Sequence, residues 1–247
     1  MAPLLILSIK NMNRKLLFPF FAIALTGVVW IWFAMDGNKP DMDAGVINNK
    51  LPWQINIENE KTLQVFSLHV GQDSLSAVVK KLRKLPELAL FEDAEGVRQI
   101  EAYFSRVKLA MLEGRMVAEV DVEGVDLSGF ARFAKKGQPT PSGRRKYKLS
   151  KTGIIKANAL RVWKLVYMPR ADYTEAQLLR FFGEPGHKKT VSAGVENWYY
   201  PNKGLLITYD KDGRELFYYA AVAEYGKMLK GVEKDISSMQ NMQGDAQ

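Results

Sequence analysis

A run of twenty residues without a charge, Leu16 to Met35, is the feature of this sequence that most limits how the chain folds. At about 1.5 Å of rise per residue, a helix of this length spans roughly 30 Å, the hydrocarbon thickness of a bilayer. Trp30 and Trp32 lie near its far end, where aromatic side chains favour the membrane interface. The run therefore predicts a transmembrane helix over residues 16–35. A cleaved signal peptide is the alternative, but its apolar core is usually only ~7–15 residues long.

More basic residues precede this run than follow it before residue 51. They are Lys10, Arg14 and Lys15 on one side, and Lys39 and Lys50 on the other. The positive-inside rule then places residues 1–15 in the cytoplasm. Residues 36–50 are rich in Asp, Asn, Gly and Pro and form the predicted linker. The sequence thus predicts a single-pass protein of the inner membrane whose C-terminal domain is periplasmic.

The chain has no cysteine and only two histidines, His69 and His187. Disulfides, thiolate metal sites and cysteine nucleophiles are therefore excluded, as is a multi-histidine metal centre. A glycine-rich phosphate loop, a nucleophile elbow and a metal-spaced cluster are also missing from the sequence. We predict no catalytic residue, no cofactor, no metal site and no enzymatic activity. An envelope hydrolase with a carboxylate-based site is the alternative.

Strand and helix patterns occur in the same order twice after residue 50. In each copy an alternating stretch leads to an aspartate and a helical pattern, and short strand-like runs follow. The two aspartates, Asp73 and Asp172, are the expected N-caps and lie 99 residues apart, as do Gly114 and Gly213. This spacing indicates an internal duplication. The predicted fold class is α+β, with the transmembrane helix followed by two tandem units of helix plus antiparallel sheet.

The predicted boundaries follow from these patterns. They are a first α+β unit over residues 51–136, a basic connector over 137–159, a second unit over 160–233 and a disordered tail over 234–247. Within the first unit, the alternation of Leu63–Val70 predicts one strand, and Leu75, Val78 and Leu82 predict the helix after it. In the second unit, the helix is expected to end at the C-cap glycine Gly183.

Residues 178–216, LLRFFGEPGHKKTVSAGVENWYYPNKGLLITYDKDGREL, combine three local features. These are a helix ending in a Gly-x-Pro turn, a strand carrying Trp-x-Tyr, and a hairpin closing on Asp-x-Asp-Gly. In this region the chain resembles the small SmpA/OmlA-type outer-membrane assembly lipoprotein domain. Its doubled plan is similar to that of the secreted beta-lactamase-inhibitory proteins. The resemblance implies a non-enzymatic binding or scaffolding role in a bacterial envelope.

The positive charge is concentrated in one segment. From Leu127 to Ala171 there are twelve basic residues and no acidic one, whereas the net charge of the whole chain is +8. Such a cluster binds anionic headgroups near a membrane or phosphates of nucleic acid, and a solvated face is the third interpretation. The candidate residues for an anionic partner are Arg144, Arg145, Lys146, Lys148 and Lys151.

Aromatic residues are concentrated on two predicted strands, at 198–200 and 217–219. Strand alternation places Tyr199 on the face opposite Trp198 and Tyr200. One set must be core, and the other forms a candidate aromatic binding face of Trp198, Tyr200 and Tyr218, since Tyr and Trp are enriched at interfaces. Cross-strand packing inside the protein is the alternative.

These observations together predict a membrane-anchored periplasmic protein of the bacterial envelope that binds or scaffolds other molecules. The expected partners are the bacterial inner membrane, an envelope protein, and an anionic lipid or polymer. Nucleic acid is not favoured, because the predicted topology places the domain away from DNA. A basic lipid- or nucleic-acid-binding module remains an alternative.

Overall fold

The computed structural model describes residues 51–131, 137–213 and 215–244. The strands within these ranges are β1 (Asn56–Asn59), β2 (Thr62–Val65), β3 (Leu68–Val70), β4 (Glu87–Glu92), β5 (Arg98–Leu109), β6 (Leu112–Val120), β7 (Gln138–Pro139), β8 (Arg145–Lys148), β9 (Val162–Pro169), β10 (His187–Ser192), β11 (Val195–Tyr200), β12 (Leu205–Asp210) and β13 (Leu216–Ala220). The α-helices are α1 (Leu75–Leu82), α2 (Lys151–Ala159), α3 (Glu175–Phe182) and α4 (Tyr225–Gly244). Short 3-10 turns occupy Pro201–Lys203 and Val222–Glu224.

Ten of these strands form one antiparallel sheet in the order β10-β11-β12-β13-β9-β6-β5-β4-β8-β7. The ladder between β6 and β9 begins with Gly114 opposite Pro169 and ends with Val120 opposite Val162. It joins strands from both predicted units, so the predicted fold class of two tandem α+β units is wrong. The molecule is mostly β and is built on this continuous sheet. Strands β6 and β9 are largely buried on both faces, and pairing them removes two apolar edges that separate units would expose.

Helices cover both faces of the large sheet. Leu75 of α1, Ala157 of α2 and Phe182 of α3 belong to one core, which also includes the small sheet of β1, β2 and β3. Met228 and Val232 of α4 belong to a second core on the opposite face. We call these two sides the three-helix face and the α4 face.

The predicted helix after the first strand is confirmed, but its cap is not the predicted one. Ser74, rather than Asp73, is the N-cap of α1, and its side chain accepts a hydrogen bond from the N–H of Ala77. The Asp73 carboxylate instead accepts from the His69 N–H over 2.7 Å. The second expected cap shifts in the same way, because the N-cap of α3 is Thr174 and not Asp172.

The stretch Leu63–Val70, predicted as one strand, is the β2–β3 hairpin. The chain turns at Phe66 and Ser67, which have φ angles of 55° and 63°. The Phe66 ring is fully buried and lies 5.1 Å from the Tyr167 ring and 5.5 Å from the Tyr219 ring. Tertiary packing therefore offsets the strain of a left-handed backbone at an aromatic residue.

Two segments predicted to lack regular structure have it. Residues 137–159, the expected connector, contain β7, β8 and α2, because β8 pairs with β4 and extends the sheet. Helix α4 continues through the expected disordered tail, 234–247, as far as Gly244. Lys234 fixes its path over the β4–β5 turn through an ion pair with Asp93 at 2.6 Å.

The predicted transmembrane segment, residues 16–35, and the linker, residues 36–50, lie outside the described residues. Among the helices that the structure describes, none is long and apolar enough to cross a bilayer. The anchor, its orientation and the inner-membrane location therefore stay predictions.

Candidate functional site

The described cations of the acid-free segment, Leu127–Ala171, divide into two groups. One group forms ion pairs with carboxylates from other parts of the chain: Arg144 with Glu101, Lys146 with Glu87, Arg161 with Asp121 and Glu224, Lys164 with Glu119, and Arg170 with Glu113. The other group is exposed and, among the described residues, makes no ion pair: Arg145, Lys148, Lys151 and Lys156. The structure thus separates the five predicted anion-binding residues, because Arg144 and Lys146 belong to the first group.

Charged side chains line up across neighbouring strands on the α4 face. The register places Glu101 of β5 opposite Glu119 of β6, and Glu119 opposite Lys164 of β9. Lys164 pairs with Glu119, and Nη1 of Arg144 donates to Oε1 of Glu101 over 3.1 Å. Glu101 is 3% exposed, and Glu119 and Arg144 are each 6% exposed. We call Arg144, Glu101, Glu119 and Lys164 the buried charge row.

Burial and mutual attraction perturb the acid–base properties of this row. Burial raises the pKa of Glu101 to about 7, although the Arg144 guanidinium opposes the rise and the Glu119 carboxylate adds to it. Burial also acts to lower the pKa of Lys164, but the ion pair with Glu119 outweighs it and holds that pKa above its ordinary value. The row therefore places a carboxyl that readily binds a proton beside a stable ion pair.

Helix α4 covers the buried charge row. Asp235 of this helix is half-buried and attracts Arg144. The Arg144 guanidinium lies over the Phe91 ring, 4.9 Å from its centroid. Among the described residues, Nε and Nη2 of Arg144 and Oε2 of Glu101 have no hydrogen-bond partner. These groups are held by packing and charge in a closed interior.

General acid–base catalysis often uses two neighbouring carboxyl groups, one of which has a raised pKa. Glu101 and Glu119 have that chemistry, but their low exposure gives a substrate no surface to approach. Removing one partner from a buried charge pair is costly, whereas the pair itself contributes little net stability. The buried charge row therefore fits a role in fixing the register of β5, β6 and β9 beneath α4 better than it fits a role in catalysis.

Helix α2 begins immediately after the exposed end of β8. Its N-cap is Ser150, whose Oγ accepts from the N–H of Gly153 over 2.9 Å and donates to the carbonyl of Gly129 over 3.1 Å. The N–H of Ser150 donates to the Phe130 carbonyl over 2.8 Å. These contacts fix the start of the helix and hold Lys151 in its first turn with an exposed side chain.

Arg145, Lys148 and Lys151 follow one another along β8 and into α2, and we call them the exposed cation group. Lys156 of α2 lies near them in sequence, with Nζ 5.6 Å from the centroid of the Phe130 ring. Exposed cations without carboxylate partners are available to an anionic surface, since no internal ion pair has to break first. Strand alternation directs Arg145 and Lys148 to opposite faces of β8, so the exposed cation group can act as a docking point for an anionic partner that meets the margin of the sheet.

The predicted aromatic binding face lies inside the protein. Trp198 is 0% exposed and Tyr200 is 3% exposed, both on the three-helix face, whereas Tyr218 is 7% exposed on the α4 face. The strand register explains the separation, because Trp198 aligns through Ile207 with Phe217 rather than with Tyr218. Core packing, the alternative interpretation, accounts for all three residues.

The two histidines lie in different elements, β3 and β10. His69 is half-buried, with Nδ1 3.0 Å from Nζ of Lys81 and Nε2 3.2 Å from Oε1 of Glu58. His187 is exposed, and its ring centroid lies 5.3 Å from that of Tyr199. Within the part of the chain that the structure describes, His, Asp and Glu side chains form no group of three or more arranged to hold a metal ion.

No protein-family model, curated protein or solved structure matches this chain. The resemblance of residues 178–216 to outer-membrane assembly domains therefore stays a prediction.

Helix α2 was not predicted from the sequence, although a signal for it is present. Ser150 is a favourable N-cap, and no proline occurs between Lys151 and Ala159. The low helix propensity of Gly153 and the two isoleucines hides this signal. The helix depends on its contact with Phe130, which no local pattern indicates.

Proposed function

We propose that the protein is a membrane-anchored, non-enzymatic binding protein of the bacterial envelope, and that it binds an anionic partner through the exposed cation group. The observation that carries this proposal is the absence of a carboxylate partner for Arg145, Lys148 and Lys151 among the described residues. Five other described cations of the same segment are paired with carboxylates, so the unpaired charge among the described residues lies on β8 and α2.

The strength of such an attraction is considerable near an anionic surface. Each cation contributes about 1 kcal/mol there, and the attraction decays within a Debye length of about 8–10 Å. Removing the three cations is therefore expected to weaken binding by about tenfold or more. The effect must weaken as salt is added, because exposed charges are screened by ions.

The predicted anchor supports the proposal by keeping the domain close to the bilayer. Residues 36–50, even fully extended, reach about 50 Å at most from the end of the predicted span. A tethered domain has a high effective concentration at the membrane, so weak contacts suffice for binding. The rigid sheet, closed by cores on both faces, suits a binding scaffold.

The test uses the full-length chain reconstituted in phosphatidylcholine nanodiscs and mixed with sedimenting vesicles that contain phosphatidylglycerol. We expect salt-sensitive co-sedimentation that falls about tenfold in the R145Q/K148Q/K151Q variant. The matched control is K108Q/K189Q/K211Q, which removes the same charge from exposed lysines of other regions. Equal loss of binding in both variants, or binding that ignores salt, would overturn the proposal.

A further inference from the structure

The inner side of α2 is built from the smallest residues available. Gly153 and Ala157 are buried, and a Cβ added at Gly153 would lie 2.2 Å from the Phe130 carbonyl oxygen. The helix backbone therefore rests directly against the chain at Phe130. Glycine and alanine let the helix lie close to the rest of the protein, but they contribute little apolar surface to the core.

The outer side of α2 carries its large apolar residues. Lys151, Ile154 and Ile155 are spaced i, i+3 and i+4, which puts them on one side of the helix. Ile155 is 72% exposed and Ile154 is 38% exposed. A globular protein normally places isoleucine inward and small or polar residues outward, so α2 has the reverse of the usual arrangement.

Helix formation does not explain these residues. Isoleucine is β-branched and has a lower helix propensity than alanine or leucine. Lys151 occupies the first turn, where the helix dipole disfavours a positive charge, and α2 has no acidic residue there. Other strongly exposed apolar residues, Leu85, Val97 and Met111, lie outside helices and at separate places in the chain. The adjacent pair in α2 is therefore a local feature that stabilises neither the helix nor the core.

We infer that α2 is a lipid-docking helix whose outer side, Ile154 and Ile155, enters the interfacial region of an anionic phospholipid bilayer. Since α2 and the strand before it carry the exposed cation group, this role rests on the proposed function and names its partner. Lys151 lies on the same side as the isoleucines, so its ammonium group can reach lipid phosphates while the apolar side chains enter the membrane. A purely polyanionic partner, such as an acidic polymer, would use the cations and leave the isoleucines in water.

The path of the chain is consistent with this placement. Trp53, close to the start of the described residues, stacks on Phe181 of α3 at 4.0 Å, and Ile55 packs against the core of the three-helix face. The predicted linker therefore joins the domain on the side of the sheet that also carries α2. The tether does not have to wrap around the sheet for α2 to meet the bilayer.

The absence of cysteine allows a single-label experiment on the full-length chain. Ala159 is exposed one turn after Ile155, and Lys230 is exposed on α4 at the opposite face of the sheet. Ala159→Cys and Lys230→Cys variants are each labelled with an environment-sensitive fluorophore and reconstituted in nanodiscs with or without phosphatidylglycerol. Lipids that carry a quencher then report contact with the membrane. We expect quenching at position 159 in anionic discs and little quenching at position 230.

Two sets of substitutions in the Ala159→Cys background separate the possible outcomes. We expect I154S/I155S to lower the docked-to-free ratio about tenfold or more, because two apolar side chains no longer enter the lipid. If I154S/I155S retains full quenching while R145Q/K148Q/K151Q loses it, the lipid-docking role of the isoleucines is overturned and the proposed function stands. Equal quenching at positions 159 and 230 also overturns it. If, in addition, the vesicle experiment shows no dependence on the exposed cation group, the proposed function fails as well.

Discussion

Arg144 and Arg145 are neighbours in the chain and differ in almost every physical respect. Arg144 is 6% exposed, bonds Glu101 and lies over the Phe91 ring, whereas Arg145 is exposed and has no ion pair among the described residues. The difference arises because β8 is an added strand at the sheet margin, where successive side chains point to opposite faces. A run of like charges in a sequence therefore need not act as one surface.

The burial of Arg144 and Lys146 determines how the basic segment should be tested. Substituting all five predicted residues together would remove Arg144 and Lys146, which pair with Glu101 and Glu87. Loss of binding would then reflect damage to the fold as much as loss of surface charge. Substituting the exposed cation group alone removes surface charge without breaking these ion pairs. Substituting residues of the buried charge row instead tests how buried charges affect stability.

The largest expected effect on stability comes from substituting Arg144, the buried one of the two neighbouring arginines. Arg144→Met leaves the Glu101 carboxylate buried without its partner, and we expect the free energy of unfolding to fall by about 3–5 kcal/mol. Arg145→Gln should change it by less than about 0.5 kcal/mol. Urea denaturation of both variants measures the difference, and a double variant with Glu101→Gln should recover part of the loss. Similar values for the two arginines would remove the distinction between the groups.

The second effect is a pH dependence of stability from Glu101. Its pKa is about 7 in the folded protein, against an ordinary value of 4.5, so the folded state keeps a proton that the unfolded chain releases. Stability from this group is complete below about pH 4.5 and is lost as the pH rises to about 7, by about 3 kcal/mol. Glu101→Gln cannot titrate, so the stability of wild type relative to this variant should fall over that range. If the difference in stability between wild type and Glu101→Gln does not change with pH, then Glu101 keeps an ordinary pKa.

The third effect concerns the close contact beneath α2. Gly153→Ala places a Cβ against the Phe130 backbone, and we expect a loss of about 1–3 kcal/mol from overpacking. Gly226→Ala in α4 is the matched control, because nothing lies within 4 Å of its added Cβ and alanine favours helix by up to about 1 kcal/mol. Thermal unfolding compares the two. Stabilisation by both substitutions would mean that α2 is not held tightly on Phe130.

The smallest expected effect on stability belongs to the exposed cation group. R145Q/K148Q/K151Q should change the free energy of unfolding by less than about 0.5 kcal/mol per residue, since these side chains make no ion pair with the described residues. The same variant is expected to lose about tenfold in vesicle binding. Urea titration and co-sedimentation on one preparation measure both quantities. A large loss of stability would assign these residues to the fold instead.

Local sequence patterns predicted many of the helices and strands that position the buried charge row and the exposed cation group. The helical spacing of Leu75, Val78 and Leu82 is confirmed by α1, and Gly183 is the C-cap of α3 as expected. The hairpin at Phe66 was not predictable, because a buried ring stabilises its left-handed backbone from strands distant in sequence. Helix α2 was missed for a similar reason, since Gly153 is favourable there only because of Phe130.

The sequence by itself determined the charge of the acid-free segment, the absence of cysteine chemistry and the positions of most strands, because these depend on residue type and on neighbours along the chain. Only the tertiary structure decided that β6 and β9 pair, and so made one sheet from two predicted units. It also decided which cations meet carboxylates, since Glu101 lies 43 residues from Arg144 in the chain. Contacts of such separation depend on the relative placement of whole strands, and no local pattern of charge or hydrophobicity specifies that placement.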